Sequence, residues 1–270
     1  MESLPEAIGA QLAEELREQV NHLSAALQLL TPVVQEQGEQ RYGQYLAIAN
    51  QSIYRLIRTI NHLEDIRLPE REAAGMGPLD LAGLCSQTAK QVCSLAERAG
   101  VSFRYDSERE SLLSCGDGAL LERMLLGLIS NALKWAGEDK TGERAGEAGL
   151  HLAADRGRAV ITVWDNGPGL HSGRRDGDNS LPLLHTAEGA GLGLAAARRI
   201  AAVHGGTLVL EQRENRGLRA VVSLPIRTPE RPEEVRTPQM GYDRSGGFSP
   251  ALVELSDVLP FAVFLPEDIE

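Results

Sequence analysis

Two glycine-bearing stretches in the second half of the chain carry residue types suited to nucleotide chemistry. In the first, Asp165 ends an alternating, β-branched run, and Gly167 and Gly169 follow it. A carboxylate beside two glycines predicts a sharp turn that lets a flat ligand approach the backbone. In the second, a run of glycines opens a helical pattern, which bares N–H groups at the positive end of a helix dipole and suits phosphate. These glycines are Gly189, Gly191 and Gly193.

A polar pair lies upstream of both stretches, on the predicted helix Leu120–Trp135. Asn131 and Lys134 are three residues apart and share one helix face. An asparagine among buried leucines is useful if its amide oxygen binds something. A Mg²⁺ ion that also holds phosphate oxygens and waters would be such a ligand.

In this order, the three motifs resemble the N, G1 and G2 boxes of the ATP-binding domain of sensor histidine kinases, within the GHKL group that includes gyrase and MutL. The resemblance implies that ATP and Mg²⁺ are the cofactors. It implies that Asp165 holds the adenine amino group, that Asn131 ligates Mg²⁺, and that Lys134 and the second glycine run face the phosphates. The alternative is that Asp165 and Asn131 only cap turns. The ordered set favours ATP binding.

The elements that must position these motifs start with two amphipathic helices in residues 1–68. Apolar residues recur at steps of three and four, Pro32 is expected to kink or interrupt the first helix, and a turn is expected near Gly38–Gly43. One hairpin cannot cover both apolar stripes, so a homodimer forming a four-helix bundle is predicted. Placed before the ATP domain, this hairpin is similar to the dimerisation and histidine-phosphotransfer module of the same kinases.

The same resemblance makes His22 the candidate phosphorylated residue. The family's box follows the histidine with an acidic residue, but here Leu23 follows it, and Ala26 stands where threonine or asparagine is usual. Glu18, one helical turn earlier, could replace the missing acid. His62, with acids close by, is a second candidate that ranks below His22 and is expected to be an ordinary surface histidine.

The rest of the pattern predicts an α+β fold. Residues 69–78 are predicted to be a linker, and residues 79–226 to be a GHKL, or Bergerat-type, α/β sandwich with helices on one sheet face. This part also departs from the family pattern: Gly127 replaces a polar residue on the asparagine helix, and Leu218 replaces a threonine near the adenine site. The aromatic box before the second glycine run is absent and is replaced by residues 181–185. Residues 171–188 would be a mobile ATP lid.

The last stretch, 227–270, begins as a proline- and charge-rich tether and then turns apolar. Ser249-Pro250 predicts a helix start. We expect this tail to pack on its own chain. The alternative is a docking peptide or strand that regulates the lid.

Composition narrows the function classes. The net charge of −11 argues against a general nucleic-acid surface, and no apolar stretch is long enough for membrane insertion. Three cysteines without metal or redox spacing fit a reducing, cytoplasmic location. The resulting hypothesis is an ATP-dependent protein-histidine kinase that passes phosphate to the receiver domain of a response regulator. The alternatives are a degenerate, ATP-binding regulatory dimer and, ranked low, a serine kinase acting on a partner.

Overall fold

The computed structural model describes residues 4–36, 40–69, 76–136, 145–169, 192–214, 216–228 and 247–266. The helices are α1 Leu4–Glu36, α2 Gln40–Ile66, α3 Leu81–Arg98, α4 Gly118–Ala136, α5 Leu192–Val203 and α6 Pro250–Leu255, with a 3₁₀ helix at Phe261–Phe264. The strands are β1 Gly77–Asp80, β2 Val101–Ser107, β3 Leu113–Gly116, β4 Gly146–Asp155, β5 Arg158–Asp165, β6 Thr207–Gln212 and β7 Leu218–Pro225.

Helices α1 and α2 form the predicted antiparallel hairpin. Arg17 on α1 donates to Asn61 at 3.2 Å and pairs with Glu64 at 2.8 Å, which sets the register of the two helices. Helix α1 continues through Pro32, so the proline does not interrupt it. The expected turn near Gly38–Gly43 is wrong at its second end, because α2 already begins at Gln40 and includes Gly43.

The part of the chain that follows the hairpin is built on a five-stranded sheet with the order β2-β4-β5-β7-β6. Strands β2 and β4 are parallel, whereas the other neighbours are antiparallel. A separate ribbon joins β1 to β3. Helices α3, α4 and α5 pack on the sheet, which confirms the predicted α+β class. Asp165 is the last residue of the central strand β5, which lies between β4 and β7.

Helix α4, which carries Asn131, is buried nearly all round. Its residues from Leu120 to Ser130 are all buried, because α4 packs on β4 and β5 on one side and on α6 on the other. Asp117 caps its start by accepting N–H groups of Ala119 and Leu120 at 3.1 Å. The Asp117 N–H in turn donates to Nε2 of His204 at 3.0 Å, which fastens α4 to the end of α5.

The C-terminal segment, residues 247–266, packs on its own chain as expected. Ser249 caps α6 and Pro250 occupies its first turn, so the predicted start is confirmed. Leu255 and Phe264 are completely buried. Of the tether predicted from Arg227 to about Gly247, residues 229–246 lie outside the described residues.

Among the helices in the described ranges, none has the length and apolar character to cross a membrane.

Candidate nucleotide-binding site

Asp165 is a buried carboxylate at the end of strand β5, and backbone N–H groups fix the orientation of its side chain. Its residue is 3% exposed, and Oδ1 accepts the N–H groups of Gly167 at 2.8 Å and Leu218 at 3.3 Å. Burial raises the pKa of the Asp165 carboxyl, while these two hydrogen bonds and Arg213 act in the opposite direction. Both bonds fall on Oδ1, so Oδ2 takes none from the described residues. A buried, oriented acceptor of this kind suits the amino group of a base.

The first glycine stretch brings the Asp165 loop against the end of α4. A Cβ added to Gly167 would lie 2.4 Å from the carbonyl oxygen of Trp135, so only glycine fits this contact. Gly169 has a φ of +76°, and a Cβ there would meet the Gln212 side chain at 2.3 Å. Asn131 is one helical turn before Trp135, which is about 6 Å along the helix axis. The structure therefore brings the predicted amide and the predicted carboxylate to one region.

Three residues of the β6–β7 connection also shape this region, and sequence reasoning missed their role. Gly217 has a φ of +93°, and a Cβ on it would lie 2.0 Å from the carbonyl oxygen of Asp165. Leu218, noted only as a departure from the family pattern, supplies its N–H to the Asp165 side chain. Arg213 donates to the Asp165 carbonyl oxygen at 2.7 Å. The signal in the sequence was a glycine that opens a strand, which is typical of a hairpin turn.

The other predicted residues have the following positions. Asn131 and Lys134 are half-buried on α4. Gly193 is the second residue of α5, where backbone N–H groups at a helix start lack intrahelical partners. Gly189 and Gly191, and the predicted lid at 171–188, lie outside the described residues.

The donor set fits a nucleotide with a magnesium ion held mainly by phosphate. At Gly167, Gly169 and Gly217 an added Cβ would overlap neighbouring protein atoms, so these glycines let the backbone fold tightly beside Asp165. No cluster of three or more histidine, cysteine or acidic residues able to hold a metal occurs in the described ranges. An ion here would rely on the Asn131 oxygen, phosphate oxygens and waters, a ligand set that Mg²⁺ accepts.

The candidate histidines occupy contrasting environments. His22 and Glu18 are both exposed on α1, one helical turn apart. The expectation that His62 is a surface histidine is wrong. His62 is 7% exposed, its Nε2 lies 2.9 Å from Oε2 of Glu254, and Cε1 lies 3.2 Å from where a Cβ of Gly193 would be.

Comparison with known proteins identifies the nucleotide-binding half. Residues 116–228 match the family model described as histidine kinase-, DNA gyrase B-, and HSP90-like ATPase. The sensor protein CutS of Streptomyces coelicolor is 32% identical over 197 residues, which is 69% of this chain and 44% of CutS. The chain is a homologue of the sensor histidine kinases. It spans less than half the length of CutS.

Further relatives support the same family. The sensor protein ChvG of Agrobacterium fabrum is 25% identical over 241 residues, which is 82% of this chain and 39% of ChvG. Among solved structures, full-length ShkA in complex with AMPPNP superposes with a TM-score of 0.62 at 23% identity, covering 82% of this chain and 46% of ShkA. This likeness confirms the fold of N-terminal helices followed by a mixed α/β domain, and the family match identifies that domain as a GHKL ATPase domain.

Proposed function

We propose that the protein is an ATP-dependent histidine kinase that phosphorylates His22 and passes the phosphoryl group to an aspartate of a receiver domain. The supporting observations are that Gly167 of the Asp165 loop abuts the Trp135 carbonyl, one turn after Asn131 on α4, and that α4 packs on α5. A helical hairpin that carries the exposed His22 packs beside them.

In this proposal, each polar group near Asp165 and Asn131 has one role in binding the nucleotide. Asp165 accepts the adenine amino group through its free carboxylate oxygen. Asn131 binds the Mg²⁺ that neutralises the phosphates when nucleotide is bound. Lys134 and the N–H groups at the start of α5 face the phosphate oxygens.

Transfer to the histidine requires a nucleophilic nitrogen and an acceptor for its proton. A ring nitrogen of His22 attacks the γ-phosphorus, the bond to the β,γ-bridging oxygen breaks, and ADP leaves. The proton of the imidazole passes to a base. Glu18 is in reach because residues four apart share a helix face. Homodimerisation through the hairpin belongs to the same proposal, since the hairpin exposes apolar residues on both helices.

Incubation with radiolabelled ATP and Mg²⁺ tests the proposal. We expect the wild-type protein to acquire acid-labile, base-stable label, and His22→Ala to acquire none. His151→Ala is the matched control, because His151 is a partly exposed histidine of the ATP-binding domain. Nucleotide binding without label in the wild-type protein would contradict kinase activity.

A second function is favoured by the surroundings of His22. No acidic residue follows it, and the ATP-binding domain packs on α2 rather than forming a comparable contact with α1. These observations suit a regulatory dimer that binds ATP and signals through its conformation. In that case His22→Ala would retain biological function, and Asp165→Asn would lose it.

A further inference from the structure

The C-terminal segment, residues 247–266, lies between the two halves of the molecule. Helix α6 packs on α2 of the hairpin and on α4 of the ATP-binding domain, and the 3₁₀ helix continues along α2. Val253, Glu254 and Leu255 of α6 are at most 1% exposed. The segment therefore contacts one helix of each half and is buried there.

Its contact with α2 is built from specific hydrogen bonds. Gln51 Nε2 donates to the carbonyl oxygens of Ser256 at 2.9 Å and Leu259 at 2.8 Å. Asn50 Nδ2 donates to the Phe264 carbonyl at 3.1 Å. These amides satisfy carbonyl groups at the ends of short helices, which would otherwise need water.

Aromatic packing adds an apolar anchor to the same contact. The ring of Tyr54 lies 5.1 Å from that of Phe248 and 5.2 Å from that of Phe264, at steep interplanar angles. The Tyr54–Phe248 pair is edge-to-face, a geometry that stabilises an interface beyond the area that it buries.

The contact with the ATP-binding domain centres on Glu254. This residue is 1% exposed, and its Oε2 lies 3.6 Å from where a Cβ of Gly127 would be. Gly127 is the position where the polar residue of the family pattern is missing. Its lack of a side chain lets the carboxylate of the C-terminal segment approach α4.

Glu254 also contacts two basic side chains of α2. Its Oε2 lies 2.9 Å from Nε2 of His62 and 3.4 Å from Nε of Arg58. Outside this buried pair, Asp257 pairs with Arg58 and lies 3.2 Å from Arg55. Removing one partner of a buried ionic contact leaves the other uncompensated, so these pairs hold the segment on α2.

The start of α5, on the proposed phosphate side of the ATP-binding domain, lies against the hairpin at the level of His62. The first turn of α5, at Gly193, abuts His62, and Nε of Arg199 on α5 donates to the Leu68 carbonyl at 2.5 Å. Arg17 lies at the level of residues 61–64. His22 is five residues further along α1, about 7.5 Å beyond that level.

We infer that residues 247–266 form an autoinhibitory clamp, which keeps the start of α5 on α2 and away from His22. The inference rests on the proposed kinase function. Phosphoryl transfer needs reacting atoms about 3–3.5 Å apart, so the ATP-binding domain must shift along the hairpin before bound ATP reaches His22. The clamp opposes this shift, and its release accelerates the reaction.

Two variants open the clamp in different ways. Glu254→Gln keeps the size of the buried side chain but removes its charge, and Asp257→Arg places a cation beside Arg55 and Arg58 at an exposed position. Asp155→Arg is the matched control, because it reverses an acidic charge at the β4–β5 turn. Asp257→Arg keeps the test available if Glu254→Gln does not fold.

Three measurements are made on each protein, with all 270 residues present: hydrogen exchange of residues 48–60, affinity for ADP, and the initial rate of His22 labelling at saturating ATP. We expect both clamp variants to exchange faster, to keep the wild-type ADP affinity and to label faster by about fivefold or more, which is the lower range for coupled sites. The control should match the wild-type protein in all three.

The outcomes separate the clamp from the kinase. Faster exchange with an unchanged or lower labelling rate would overturn the inhibitory role while leaving the kinase proposal intact. Wild-type exchange in both clamp variants would show that these residues do not hold the segment, and would also overturn the inference. Absence of label in every protein that binds ADP would remove the kinase proposal, and the inhibitory role with it.

Discussion

Nε2 of His62 and Oε2 of Glu254 lie 2.9 Å apart, although the two residues are 192 positions apart in sequence. One belongs to the hairpin and the other to the C-terminal segment, and both are buried. Arg123 of α4 adds a third element by pairing with Asp65 of α2 at 2.9 Å. The junction between the hairpin and the ATP-binding domain is therefore a buried ionic cluster rather than an apolar seam alone.

This cluster predicts an unusual dependence of stability on pH. Burial raises the pKa of Asp65 to about 6, with Arg123 and His62 opposing the rise and Glu254 and Glu64 adding to it. The unfolded carboxyl titrates near pH 3.9, so the folded state binds more protons between about pH 4 and about pH 6. The contribution of Asp65 to stability therefore increases as the pH falls through this window.

Urea unfolding of the wild-type protein and of Asp65→Asn measures this effect. We expect the free energy of unfolding of the wild-type protein, relative to the variant, to increase on acidification from about pH 7.5 to about pH 5. Asp155→Asn, at an exposed turn, is the control and should follow the wild-type curve. A wild-type advantage that shrinks on acidification would contradict the assigned direction.

Asp165→Asn should abolish most nucleotide affinity without unfolding the protein. An asparagine can still accept the N–H groups of Gly167 and Leu218 through its oxygen, but its amide would present donors to the adenine amino group. Loss of a hydrogen bond to a charged group costs about 1.5–3 kcal/mol, so the Kd for ADP should rise by about 10- to 100-fold. Calorimetric titration measures it. Asp155→Asn, near the opposite end of the β4–β5 pair, should bind as the wild type does, and equal affinity of Asp165→Asn would exclude the proposed adenine contact.

Local sequence patterns predicted the elements well, because their signals lie within a few residues. The start of α6 at Ser249-Pro250 was predicted correctly, and the Asp165 turn was recognised from its own glycines. The turn between α1 and α2 was predicted to extend to Gly43, but α2 begins at Gln40. A glycine within a helix costs only about 1 kcal/mol, so packing of α2 outweighs the cost of Gly43.

Contacts between distant segments could not be predicted in the same way. Nothing near His62 indicates that a carboxylate from the other end of the chain will cover it, so its burial was missed. The role of Gly217 was missed for the same reason, because its requirement comes from the carbonyl group of Asp165 across the sheet. Such contacts depend on topology rather than on residue spacing.

Gly167→Ala should separate the Asp165 loop from the end of α4. The added Cβ would overlap the Trp135 carbonyl, and overpacking of this kind costs about 1–3 kcal/mol. Gly157→Ala is the matched control: its φ is +76°, and nothing lies within 4 Å of the added atom. That control should lose a similar stability through backbone strain alone, about 1–2 kcal/mol.

Both variants are expected to lose similar stability, so thermal unfolding does not distinguish Gly167→Ala from Gly157→Ala, whereas affinity for ADP does. We expect Gly167→Ala to bind ADP more weakly and Gly157→Ala to bind as the wild type does. Equal affinities would show that the contact between the loop and α4 does not shape the nucleotide site.

The exposed apolar residues of the hairpin predict the homodimer. Leu16, Leu23 and Leu30 are exposed on α1 at a spacing of seven residues, and Leu56 and Leu63 repeat this spacing on α2. A seven-residue repeat forms one stripe along a helix, which suits burial against a second copy. Each buried leucine contributes about 1.5–3 kcal/mol, so Leu23→Glu should raise the dimer dissociation constant by at least about tenfold. Sedimentation equilibrium measures the change, and Val209→Glu, which alters an exposed valine of β6, should leave it unaltered. A wild-type protein that stays monomeric at high concentration, or a Leu23→Glu dimer of undiminished affinity, would rule out this stripe as the interface.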